Sequence, residues 1–164
     1  MKTRKLTLAA MLVAIGVSLG NILYIPVGVS KCFFVQHTIN IIGAVCLGPF
    51  YNVLMAFSIS LVRNLMGTGS LLAFPGSMIG ALLAGLVYKY SRNKYLTGVG
   101  EVLGTGVLGG LLAFPIAKLA MGKEVGGLFF VYPFLISTVG GSLLGLVLLR
   151  MIDFRKLLGE VNMN

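Results

Sequence analysis

Acidic residues are almost missing from this chain. Only Glu101, Glu124, Asp153 and Glu160 occur in 164 residues, and His37 is the one histidine. An enzyme working inside a membrane would be expected to cluster acids or histidines, and a Ser–His–acid triad needs a third member beside its histidine. Three of the four acids lie near the chain end or in a loop. Cysteine is equally scarce: Cys32 and Cys46 form no C-x-x-C pair, so neither a zinc site nor a disulfide framework follows. Both read as small passive side chains. H-E-x-x-H and G-x-x-x-x-G-K-[ST] do not occur, which excludes those routes to metal-assisted hydrolysis and ATP hydrolysis. No pair of broken helices carrying intramembrane charges marks the inverted repeat of many secondary transporters. The expectation is a non-enzyme without metal or cofactor.

Charge of either sign is thin. Charged residues make up 10% of the chain and hydrophobic ones 57%, with a mean hydropathy of +0.99. Soluble proteins carry about 25% charged residues, so this chain cannot coat a water-exposed surface. It reads as an all-α integral membrane protein, one domain over residues 1–164. The net charge of +9 could suggest nucleic acid, but the basic residues come in short clusters between apolar runs. That is the juxtamembrane pattern of topology and anionic-lipid contact, and no nucleic-acid partner is expected.

A spanning helix needs about 20 apolar residues. Residues 6–25 form the first run, closed by Pro26. It follows Lys2, Arg4 and Lys5 and imitates a signal peptide, with small residues at Ser18-Leu19-Gly20, but its length and the membranous remainder favour a span. Residues 34–47 form the second, broken by Gly48-Pro49. Residues 51–66, 71–90, 96–119 and 128–151 complete six. With six spans, one side holds Lys2, Arg4, Lys5, Lys89, Arg92, Lys94, Arg150, Arg155 and Lys156. The other side holds Lys31, Arg63, Lys118 and Lys123. The excess puts both termini in the cytoplasm.

Hydrogen-bonding groups concentrate in "VSKCFFVQHTINIIGAVCLGP". Gln36, His37 and Asn40 share a helical face by their three- and four-residue spacing, at what this topology makes the outer mouth of the bundle. Such a face suits capture of a small polar molecule; it equally suits satisfaction of loose backbone donors at a helix start. Glu101 lies one to two turns into the fifth run, nearer the cytoplasmic side, with Thr105 on the same face. A carboxylate there is a functional hypothesis by default; the plainer alternative is interhelical hydrogen bonding, with a serine of the sixth helix as partner. Small residues recur at four-residue spacing, at Gly76, Gly80 and Ala84, Gly100 and Gly104, and Gly141 and Gly145, which marks close helix packing. Ala10, Ala14 and Ser18 form a similar stripe on helix one.

"KLTLAAMLVAIGV" at residues 5–17, the stretch "PVGVSKCFFVQHTINIIGAVCLGPF" through "GALLAGLVYK" at residues 26–89, and "GEVLGTGVLGG" at residues 100–110 resemble the substrate-binding S components of energy-coupling factor (ECF) vitamin transporters. The "SKCFFVQHTIN" block resembles the branch assigned to the thiazole precursor of thiamin. The resemblance covers nearly the whole chain. It implies the six-helix S-component fold in a prokaryotic cell membrane, with ligand bound near the outer face, under the first loop and against helices four to six. It also implies a membrane coupling protein and two cytoplasmic ATPases as partners, with Ala10, Ala14 and Ser18 as the docking face. Hydroxyethylthiazole is small, neutral and planar. Gln36, His37 and Asn40 would supply donors and acceptors, with Asn64 and Ser70 on the same side and Phe33, Phe34, Phe74 and Tyr132 as stacking walls. Another vitamin precursor, such as the thiamin pyrimidine, is the alternative ligand, and a self-sufficient channel or scaffold the alternative class.

Overall fold

The computed structural model describes residues 2–27, 30–122 and 126–152. Among these described residues, six helical rods pack as one bundle: α1 (Lys2–Ile22), α2 (Phe34–Cys46), α3 (Pro49–Leu65), α4 (Ala73–Ser91), a composite rod, and α7 (Val131–Met151). The composite rod runs α5 (Lys94–Glu101), a π-helical segment (Val102–Gly109) and α6 (Gly110–Met121) without a break. The stretch expected as an open first loop forms a short antiparallel hairpin, β1 (Ile25–Val27) with β2 (Ser30–Cys32), Ile25 opposite Cys32.

Polarity is inverted relative to a water-soluble domain. Gln36, His37, Asn40, Asn52, Ser60, Arg63 and Glu101 are buried, while Leu19, Phe50, Leu65, Leu119 and Met151 are exposed. A bilayer is the solvent that suits this arrangement, because lipid accepts leucine and offers polar groups no hydrogen bonds. Among the described residues, three helical stretches are long and apolar enough to cross a membrane: Thr3–Gly20, Lys94–Met121 and Val131–Met151. The other rods are shorter or less apolar.

The short ones are the informative ones. Helix α2 has 13 residues and every one from Val35 to Cys46 is buried. At 1.5 Å per residue it is about 20 Å long, against about 30 Å of hydrocarbon. It packs against α1, α3, α4, α5 and α7 and forms the axis of the bundle. Gly48, with φ of 84°, and Pro49 at the first turn of α3 end it, as the Gly-Pro pair predicts.

Glycines set the approach of α4 to the composite rod. A Cβ on Gly104 would lie 2.6 Å from the Gly80 Cα, and one on Gly109 would lie 2.5 Å from the Gly76 Cα. The two helices thus match a five-residue step with a four-residue step. The π winding accounts for this, since i→i+5 bonding stacks residues five apart; the N–H of Gly110 indeed bonds Thr105 O. Gly141 and Gly145 of α7 lie against α2 in the same manner.

Lys123, Arg155 and Lys156, which enter the charge count, lie outside the described residues. Arg63, counted there as an outer loop base, is instead 2% exposed inside the bundle.

Candidate ligand-binding site

Where the hairpin, the 66–72 connection and the start of α7 meet, the bundle holds a cavity of about 460 Å3. That lies within the about 300–1,000 Å3 of small-molecule sites. Phe33, Phe130, Pro133 and Phe134 give it apolar walls; Gln36, His37, Arg63, Ser77, Thr105 and Ser137 give it polar ones. Phe130 packs edge-on to Phe129 and tilted against Phe134, and the Arg63 guanidinium lies 4.0 Å above the Phe33 ring.

The polar wall has a fixed direction of donation. Arg63 Nη1 donates to Gln36 Oε1 (3.4 Å), which turns the Gln36 amide to donate from Nε2 to Ser60 Oγ (3.0 Å). Ser77 Oγ donates to Ala73 O at 2.8 Å, so the 3.1 Å contact between the two serines must run from Ser60 to Ser77. Beneath this chain lies Glu101, 0% exposed. Its Oε1 accepts from Asn40 Nδ2 at 2.9 Å and from the Thr105 hydroxyl at 3.0 Å, and lies 2.9 Å from His37 Nδ1. Glu101 Oε2 has no partner among the described residues, nor does the cavity-lining Ser137 Oγ.

A family model described as thiamine-precursor transporter protein (ThiW) matches residues 6–155. The chain belongs to the ThiW family. No curated protein and no solved structure matches it. Family and bundle together make it a membrane transport protein for a thiamine precursor.

In this ThiW chain the residues singled out from sequence are placed as follows. Gln36, His37 and Ser70 line the cavity, as does Phe33. Asn40 is fully buried one turn below and reaches Ser77 O and Glu101 Oε1 instead. Asn64 ties the end of α3 to the connection, donating to Ser60 O and Ser70 O. Phe74 packs on Phe57 with ring centroids 5.8 Å apart. Tyr132 is 70% exposed and off the cavity, because Phe130, Phe134 and Ser137 occupy the inward face of α7 at three- and four-residue steps. Ala10, Ala14 and Ser18 are exposed on α1.

Two expectations are corrected. Glu101 does not stand apart from the polar face of α2 but touches it, because α2 packs on α5 and brings His37 and Asn40 to its carboxylate. Its partners are His37, Asn40 and Thr105, not a serine of α7. Arg63, Ser77, Thr105 and Ser137 were not named as cavity residues from sequence. A basic residue four before a turn-rich loop reads as a loop charge, and scattered serines carry no pattern until the helices are assembled.

Proposed function

We propose that this ThiW protein is the substrate-capture subunit of an ECF-type importer, binding hydroxyethylthiazole from the extracellular side. The cavity carries the reading: aromatic walls suit a flat heterocycle, and a few fixed polar groups suit its single hydroxyl. The charged group on the cavity wall among the described residues is Arg63, which disfavours a cationic ligand such as intact thiamin. The buried α2 beneath the cavity argues against a continuous pore, and hence against a channel. The sequence carries no G-x-x-x-x-G-K-[ST] phosphate loop, and on this reading energy comes from partners: a membrane coupling protein and two cytoplasmic ATPases, docked on the exposed Ala10, Ala14 and Ser18 face. The cavity end faces outward and both termini face the cytoplasm of a prokaryotic cell, following the basic clusters. The protein performs no catalysis. Calorimetry on purified protein with hydroxyethylthiazole, the thiamin pyrimidine and thiamin is the test. Saturable binding of the thiazole, tighter than the other two, is expected; preference for the pyrimidine would overturn the choice of ligand.

A further inference from the structure

His37 is the sole histidine, and its two ring nitrogens face different surroundings. Nδ1 is held by Glu101 Oε1 at 2.9 Å. Nε2 has no partner among the described residues and is not among the buried unpartnered atoms, while His37 lines the cavity. What His37 offers a ligand is therefore set by the hydrogen on Nε2, and this depends on the bond made by Nδ1.

Charge balance decides it. Among the described residues, the charged or titratable groups that touch His37 or share its cavity are Glu101 from α5, Arg63 from α3, and Tyr24 before the hairpin. Helices α4 and α7 bring the hydroxyls of Ser77 and Ser137, and α1 brings no charge to this wall. One guanidinium and one carboxylate already balance. A second cation in so apolar a bundle would add an uncompensated buried charge, which is costly. Asn40 Nδ2 donates to Oε1, and the Thr105 hydroxyl shares its one hydrogen between Oε1 and Gly76 O; such donors favour an ionised carboxylate. A neutral imidazole beside it must place its hydrogen on Nδ1.

We infer that Glu101 is a positioning residue that fixes His37 as the Nδ1–H tautomer, so that Nε2 presents a lone pair to the cavity and selects a ligand bringing a hydroxyl donor. The inference rests on the thiazole reading for the identity of that hydroxyl. Selection then works by chemistry as well as size. The free alcohol donates to Nε2; the methyl ether of the same thiazole has no hydrogen to give; the phosphate monoester brings an anion against a lone pair.

Two measurements test it. Nitrogen-15 NMR of the ligand-free protein in detergent reads the single imidazole directly. A protonated Nδ1 and a bare Nε2 are expected at pH 7.5, with Glu101→Gln giving a mixture, because the amide can face Nδ1 with either its oxygen or its NH2. A bare Nδ1, or hydrogens on both nitrogens, overturns the inference. Calorimetry then compares hydroxyethylthiazole with its methyl ether. The wild type should favour the alcohol about ten-fold or more, and His37→Ala should lose that preference. Equal affinity for alcohol and ether in the wild type also overturns it. If no thiazole binds, the ligand reading fails, and the ligand-free NMR still decides the role of Glu101.

Discussion

Replacing Gly80 with alanine puts one methyl into the tightest junction of the bundle. That methyl would overlap the Thr105 hydroxyl and lie 2.8 Å from Glu101 Oε2. Thr105 cannot retreat without loosening its bonds to Gly76 O and Glu101 Oε1. Each lost hydrogen bond costs about 0.5–1.5 kcal/mol and overpacking about 1–3 kcal/mol. Alanine's better helix propensity returns about 1 kcal/mol. The net destabilisation is about 3 kcal/mol, a melting-point drop of roughly 6–12 °C for a chain of this size. Affinity should fall with it, since Thr105 lines the cavity. Gly140→Ala is the control: a Cβ there meets nothing within 4 Å, and the variant should melt at or slightly above the wild type. Thermal melts in detergent beside calorimetric titrations read both effects. A Gly80→Ala protein that melts with the wild type and keeps its affinity would refute the packing of α4 on the π-helical segment.

Asn40→Ala and His37→Ala should separate. Asn40 is buried and bonds protein groups only, so its loss should cost about 1–3 kcal/mol of stability, while His37→Ala should lower ligand affinity about ten-fold with a smaller change in melting; the reverse pattern in paired melts and titrations would place the ligand against Asn40. Ala14→Trp should abolish uptake in cells while leaving binding by the isolated protein intact, because a large side chain spoils the flat exposed face; normal uptake would remove α1 from docking. Burial pushes the Cys32 thiol up from its ordinary value. The thiolate is therefore disfavoured, and maleimide labelling in a Cys46→Ala background should be slow at pH 7.5 and rise only above the free-thiol range of about 8.5; labelling at a free thiol's rate would contradict the buried position against Pro133 O.

The six helical runs were legible because apolar length and Gly-Pro punctuation are local signals. The Gly48-Pro49 break, the start of α2 at Phe34 and the end of α4 near Arg92 fall within a residue or two of where the sequence puts them. Depth was not legible. Hydropathy treats each apolar run as a full span, so Gln36 and His37 are assigned to the outer mouth, and Glu101 nearer the cytoplasmic side. Only assembly reveals that α2 is enclosed by the other helices and that Glu101 and His37 meet. Arg63 was misread for a related reason: charge counting assumes that a cation beside a loop faces water. The exposure of Tyr132 depends on helix rotation, which an all-apolar segment leaves unspecified. The π winding left no mark that separates it from an ordinary glycine-rich helix.

The enclosure of α2 also constrains how the protein is made. A 13-residue helix carrying Gln36, His37 and Asn40 is a poor candidate for insertion by itself, so it must enter the membrane together with α3 as a paired hairpin of helices. Its polar flank then waits through the synthesis of more than eighty residues, until the composite rod brings Glu101 and α7 brings Gly141 and Gly145 against it. Helix α7, late among the described helices, thus helps close the first polar wound in the bundle. Chains ending before α7 would leave that flank facing lipid, and quality-control proteases would be the first to find them.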